Sequence, residues 1–302
     1  MVNLELLAQL TANGLLAGGL LALSALGLTL IFGVLDVVNF AHGTYVMLAM
    51  YAGYWAWEVG GIDPFLATVL VGPLFFLFGL VSERLVIQPV IDRPMYAQVF
   101  GTVGLLWMFE NGALAVFGPD AKSVTATYGG IDAFGVSIQV SRLIGFCIAV
   151  VVTVALLLFL RRTRTGLAIR ATAQTRDLAE PYGVNIERIF MLTFAIGIGL
   201  IGIAGSAIIA TRSVQPTTGN FFVLLAFVIV TLGGLNSIVG TFFAGLFIGV
   251  ADSFISFYIS PELAPPIYFA LFIGVLVMRA RGYIELVKFR LGRLLPNGGV
   301  AN

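Results

Sequence analysis

Four ionisable side chains stand inside or at the edge of long apolar runs: Asp36, His42, Glu110 and Asp252. An isolated charge at the centre of a bilayer costs about 2.5 kcal/mol or more, so groups placed there must face protein, water or a partner rather than lipid. Together with the neighbouring amides, Asn39, His42, Glu110, Asn111 and Asp252 form a set of candidates for a polar pathway. Asn39 and His42 can equally be a hydrogen-bonded pair holding a helix break, and Glu110, Asn111 and Asp252 can be structural pairs. Nothing here points to covalent chemistry. The one histidine lies in an apolar run, no Ser/His/Asp grouping is suggested, and no stretch matches the phosphate-cradling G-x-x-x-x-G-K-[ST] loop. With no Cys pair either, a structural metal site is not expected.

A second polar grouping is made for water. Residues 161–188 hold six of the sixteen Lys and Arg, between the uncharged runs Leu143–Leu160 and Ile189–Thr211. Such a concentration of arginine places the insert on the cytoplasmic side. Thr165 is expected to cap a helix that continues until Pro181, which cannot extend it without losing a hydrogen bond. Within it Arg170, Gln174 and Asp177 fall four and three apart, on one polar face, while Ala171 and Leu178 lie on an apolar strip. Gly183 suits a left-handed exit, and Asn185 can cap the next helix with Glu187 in its first turn. The insert is therefore either a solvated basic loop or a docking helix that takes force from a soluble motor.

The elements that position these groups follow from composition. The chain is 59% hydrophobic and 10% charged, with a mean hydropathy of +1.03, which excludes a water-soluble globular domain. The net charge of +1 says nothing about nucleic acid, and the one cysteine, Cys147, allows no internal disulfide and is expected to be a small packing residue. The beginning lacks a basic segment, so no cleaved secretory signal is expected. Met1–Leu10 suits a surface helix. The predicted architecture is all-α, with about eight transmembrane helices drawn from the apolar stretches 12–35, 37–57, 64–82, 97–118, 142–160, 189–211, 217–235, 239–259 and 264–279. The last is counted after a fold-back within residues 213–251. That stretch is 39 residues without a charge and too long for one crossing, so it should break at Gly233-Gly234-Leu235-Asn236-Ser237. Residues 119–140 read as a polar loop. Setting residues 161–188 inside places thirteen of the sixteen Lys and Arg in cytoplasmic segments and leaves Lys122, Arg142 and Arg212 outside. The N-terminus is then outside and the C-terminus inside. Gly14 with Gly18, and the group Gly197, Gly199, Gly202 and Gly205, should let helices approach closely.

Several segments, in order, carry a resemblance: Asn39-Phe40-Ala41-His42-Gly43; Glu83-Arg84-Leu85-Val86-Ile87 with Arg93-Pro94; Phe117-Gly118-Pro119; Gly166-x-Ala168-Ile169-Arg170-Ala171-x-Ala173-Gln174 with Gly183-Val184-Asn185; and Leu232-Gly233-Gly234 with Ser237 and Gly240. Over nearly the whole chain they resemble the permease subunits of branched-chain amino-acid ABC importers, in the shorter, H-type form. The resemblance implies transport without catalysis in this chain and residence in a bacterial inner membrane. It implies a paralogous permease as heterodimer partner, two cytoplasmic ATPase subunits that carry ATP and Mg, and a periplasmic substrate-binding protein. It also implies that Arg170, Ala171, Gln174, Asp177, Glu180 and Gly183 form the ATPase-coupling surface. Pro181 and Asn236 depart from the family pattern. Related importers carry urea and short amides, so the cargo is a branched-chain or other hydrophobic amino acid or, alternatively, such an amide. A proton-coupled secondary transporter using Glu110 or Asp252, and a passive channel, are the rival classes.

Overall fold

The computed structural model describes residues 4–126, 128–133, 136–176, 183–260 and 263–280. Its helices are α1 (Leu4–Leu35), α2 (His42–Glu58), α3 (Pro64–Ser82, prolonged by a π-helical turn at Glu83–Ile87), α4 (Met95–Phe117), α5 (Val140–Arg162), α6 (Arg164–Gln174), α7 (Ile186–Ile208), α8 (Thr218–Gly233), α9 (Ile238–Tyr258) and α10 (Ala264–Ala280). A hairpin of β1 (Gly130–Ala133) and β2 (Val136–Gln139) precedes α5, so the polar loop expected there departs from an all-α chain. Among the described residues six helices are long and apolar enough to cross a membrane: α1, α3 with its π turn, α4, α5, α7 and α9.

The segment expected to lie on the surface before residue 12 instead continues α1, a single helix of 32 residues. At about 1.5 Å per residue it outruns a hydrocarbon layer of about 30 Å. Its projecting first turns are held by Gln9, whose amide donates to the Ser137 carbonyl at 2.5 Å and accepts from the Ser137 N–H at 2.7 Å. One side chain thus pairs with β2 as a backbone group would.

Helices α1 and α7 form the buried centre, where Leu23, Leu26 and Ile31 meet Phe194, Ile198 and Ile201. Glycine sets the distances around them. A Cβ at Gly14 would stand 2.6 Å from the Val250 Cα, and one at Gly18 2.8 Å from the Gly245 carbonyl oxygen, so α1 and α9 touch backbone to backbone. In α7, a Cβ at Gly197 would lie 2.7 Å from Ile31, at Gly202 2.6 Å from Phe75 and at Gly205 2.5 Å from Ala49, which brings α1, α3 and α2 onto one helix. Outward faces are apolar, as at Trp107 and Met108 of α4, Val151 and Leu158 of α5, and Phe243 and Phe247 of α9. Cys147 belongs to this outward surface and is exposed rather than packed.

The predicted break in the long uncharged run is present. Gly234 ends α8 at φ 102°, and Ser237 caps α9 by accepting from the Gly240 N–H at 3.0 Å. Substituting Gly18→Leu should wedge α1 from α9 at a cost of about 3 kcal/mol. Thermal unfolding in detergent should show a lowered midpoint, whereas the outward-facing Gly104→Leu, with nothing within 4 Å of its added Cβ, should unfold as the unaltered chain does.

Candidate functional site

The Asn-Phe-Ala-His-Gly segment forms a buried interruption between α1 and α2. Helix α2 starts at His42 rather than at residue 37, because Asp36 takes a left-handed conformation (φ 55°) and the chain then runs without helix through residues 37–41. Val37, Asn39, Ala41 and His42 are fully buried. Asn39 Oδ1 accepts from the Ala41 N–H at 3.1 Å, and the Thr102 hydroxyl donates to the Val38 carbonyl at 3.2 Å. His42 Nε2 donates to the Ser24 carbonyl of α1 at 3.1 Å, since a carbonyl can only accept. The two side chains are therefore not bonded to each other, and the residues are joined only through the backbone, where the His42 N–H donates to the Asn39 carbonyl at 3.2 Å. His42 Nδ1, a bare acceptor, and Asn39 Nδ2, a donor, are both left without a protein partner. Here the first turns of α2 and α8 meet, for a Cβ at Gly219 would lie 3.0 Å from the Thr44 nitrogen. Two positive helix ends thus adjoin this polar break.

Glu110 and Asn111 lie apart from it, on α4. Asn111 is exposed and donates to the Trp107 carbonyl at 2.8 Å, and Glu110 is half-buried. Asp252 also lies apart, nearer one end of the bundle than the middle of a span. It accepts from Arg212 at 2.8 Å on Oδ2 and from the Tyr268 hydroxyl on Oδ1, and Arg212 also stacks over the Phe221 ring at 5.3 Å. A cavity of about 370 Å³ adjoins this pair and is lined in addition by Asn13 and Arg142. Two further contacts gather loops at the same end. Lys122 and Val214 exchange backbone hydrogen bonds at 2.8 Å, and the Tyr128 hydroxyl donates to Asp63 at 2.7 Å. Burial and the adjoining Asp63 carboxylate push the Tyr128 phenol well above its ordinary range. The sequence gives no signal for Arg142 as a site residue, since its position marks only the start of a span.

The opposite end carries the basic insert. Helix α6 is capped by Thr163, whose Oγ1 accepts from the Gly166 N–H at 2.9 Å, and not by Thr165. It ends at Gln174, where Thr175 turns extended (φ −157°), well before Pro181. Of the expected Arg170–Gln174–Asp177 face, Arg170 and Gln174 are exposed on α6, whereas Asp177 and Glu180 lie outside the described residues. Gly166, Ile169 and Thr172 turn inward, and a Cβ at Gly166 would meet the Leu160 Cα at 2.5 Å, which seats α6 on the end of α5. Leu167 is 60% exposed beside Arg170, so apolar surface faces outward with the charge. Ala171 is half-buried. Beyond α6, Arg176 bonds Asp92 at 3.0 Å and lies over the Phe190 ring at 5.0 Å. Gly183 has φ 81°, and Asn185 Oδ1 accepts from the Arg188 N–H at 2.9 Å, the left-handed exit and the cap expected from the sequence.

A membrane-embedded bundle with a buried polar break and a seated amphipathic helix at one end is the frame of a multi-pass transport protein. A model of the family described as "Branched-chain amino acid transport system / permease component" matches residues 10–279, and the chain belongs to that family. It is 29% identical to the high-affinity branched-chain amino acid transport system permease protein LivH of Escherichia coli, over 90% of this chain and 93% of that protein. It is 28% identical to BraD of Pseudomonas aeruginosa, a permease protein of the same description, over 91% and 95%. The probable LivH of Methanocaldococcus jannaschii is 26% identical over 82% and 81%.

The Arg212–Asp252 pair is open to a direct check. Asp252→Ala should destabilise the chain by about 2 kcal/mol by stranding a partly buried guanidinium, and the double variant with Arg212→Ala should recover part of that loss. Unfolding midpoints of the two single variants and the double variant measure the coupling.

Proposed function

We propose that this chain is a permease subunit of an ABC importer that moves branched-chain or other hydrophobic amino acids across a bacterial inner membrane. Membership of the permease family over residues 10–279 carries the reading. Cytoplasmic ATPase subunits supply the work, a paralogous permease forms the other half of the passage, and a periplasmic binding protein delivers the cargo. The descriptions of the LivH and BraD relatives favour a branched-chain amino acid over urea or an amide. Asp252, one of the two carboxylates a proton-coupled carrier would use, is engaged by Arg212 and Tyr268, which favours the ATP-driven reading.

The N-terminus lies outside and the C-terminus inside. Opposite faces require an odd number of crossings, so this orientation goes with nine, α1 to α5 and α7 to α10, in place of eight. Lys122, Arg142 and Arg212 fall at the outer end in this arrangement, and residues 161–188 at the inner one. Helix α6 is the ATPase contact. Its inward residues fix it to α5, so a push on its outer face moves a span, while Arg170, Ala171 and Gln174 with the following Asp177, Glu180 and Gly183 form the docking surface. Leu167 adds the apolar contact that a solvated loop has no use for.

Purified chain, paralogue, ATPases and binding protein in proteoliposomes should take up leucine on addition of ATP, and urea should not accumulate. Arg170→Glu should lower ATP-driven uptake roughly tenfold or more, because a reversed charge at a docking face is repelled, while insertion and nucleotide hydrolysis persist. Unimpaired uptake in that variant would remove α6 from the coupling role.

A further inference from the structure

The outer-end cavity beside Asp252 has the charge pattern of an amino-acid zwitterion turned inside out. It lies between α1, α5, α9 and the chain just after α7, and its volume of about 370 Å³ falls in the range of small-molecule sites. Two guanidiniums, Arg142 and Arg212, and one carboxylate, Asp252, line it. Arg212 is committed: its guanidinium bonds Asp252 at 2.8 Å and covers the Phe221 ring. Arg142 is not in this ion pair, and among the described residues no carboxylate lies within 4.0 Å of it. The wall thus carries one positive charge more than it carries negative. Beside these groups Asn13 Oδ1 is a buried acceptor with no hydrogen-bond partner. Asp252 is already held on both oxygens, by Arg212 and Tyr268, so its carboxylate is fixed in place, and each oxygen keeps a further lone pair. Leu10 and Phe257 complete the wall with apolar surface.

We infer that this cavity is an outer vestibule that holds the free amino-acid cargo by its backbone groups. Arg142 takes the α-carboxylate, Asp252 and Asn13 Oδ1 take the α-ammonium, and the aliphatic side chain lies toward Leu10 and Phe257. The inference rests on the amino-acid reading given above and adds to it the residues that recognise the cargo. Urea has neither charge, and an alkylamine lacks the group that Arg142 would hold. An acidic side chain of a docking protein could also seek Arg142, but it would leave Asp252 and Asn13 without a partner, whereas a zwitterion engages all three.

The test uses the purified membrane complex without its binding protein and radiolabelled leucine, with equilibrium binding read by scintillation proximity. Leucine should bind saturably, and Arg142→Gln should weaken it by roughly 10- to 100-fold, the loss of one charge-assisted contact. Arg142→Lys should restore most of that loss. On the unaltered complex, 4-methylpentanoate, which keeps the carboxylate, should displace leucine better than 3-methylbutylamine, which does not, so the inference is exposed even if the glutamine variant misfolds. Absence of saturable leucine binding, equal displacement by the two analogues, or a glutamine variant that binds leucine normally and instead loses affinity for the binding protein would each overturn it. ATP-driven leucine uptake by the unaltered, complete transporter separates the two levels of the reading. Uptake without the Arg142 effect removes the vestibule alone, and binding without uptake removes the transport assignment alone.

Discussion

Close approach of backbones at glycine is the constraint on which the rest of this structure depends. Lipid tails are as apolar as leucine, so helices in a membrane gain nothing by hiding leucine from them and must associate through van der Waals contact and hydrogen bonds. Gly14 and Gly18 against Gly245, Gly249 and Val250 bring α1 onto α9, and Gly197, Gly202 and Gly205 bring α1, α3 and α2 onto α7. Backbone contact on this scale leaves no slack between neighbours. A displacement of α7 is therefore passed to α1, α2 and α3, which it meets at these glycines.

Within that frame the polar groups are handled in two different ways. At the end that holds Asp252, that carboxylate is matched in place by Arg212 and Tyr268, and loops are tied by the Lys122–Val214 backbone pair and the Tyr128–Asp63 bond, while Arg142 beside it stands outside the ion pair. In the middle, polar atoms are left partly unanswered. His42 Nδ1 and Asn39 Nδ2 have no protein partner although both residues are fully buried, and a buried polar atom without a hydrogen bond costs about 1–3 kcal/mol. A bundle optimised only for stability would have filled these positions with apolar side chains. Their presence where the first turns of α2 and α8 adjoin marks the strained, polar part of the molecule.

The end that carries the basic insert shows how a short helix is seated on a longer one. Eleven residues are too few to hold a helix in water unaided, so α6 depends on its Thr163 cap and on Gly166, Ile169 and Thr172 seated inward. The side left outward combines Leu167, Arg170 and Gln174. Helix α6 is fastened at its first turn by Gly166 on Leu160, and the chain just past its last turn by Arg176 on Asp92 and Phe190.

Much of this was legible in the residues alone. Apolar runs long enough for membrane crossings, the break at Gly233–Gly234, the Gly14–Gly18 contact face, the left-handed Gly183 and the Asn185 cap all follow from local chemistry, in which a residue's neighbours in sequence are its neighbours in space. What the sequence could not determine were outcomes set by distant partners. Helix α1 extends to Leu4 because Gln9 finds Ser137, far away in the chain. Helix α2 starts late because residues 37–41 are buried without helix and Thr102 of α4 satisfies the Val38 carbonyl. The side chains of Asn39 and His42 bond separate backbone groups rather than each other because Ser24 stands opposite the ring. Asp252 reads in the sequence as a mid-span charge, and only the fold sets Arg212, forty residues earlier, against it as a counter-charge. Membrane residence was therefore determined by composition, whereas the pairing of each buried polar group was decided only by tertiary structure, because a hydrogen bond or ion pair needs a partner at about 3 Å and sequence spacing does not say which distant residue will be there.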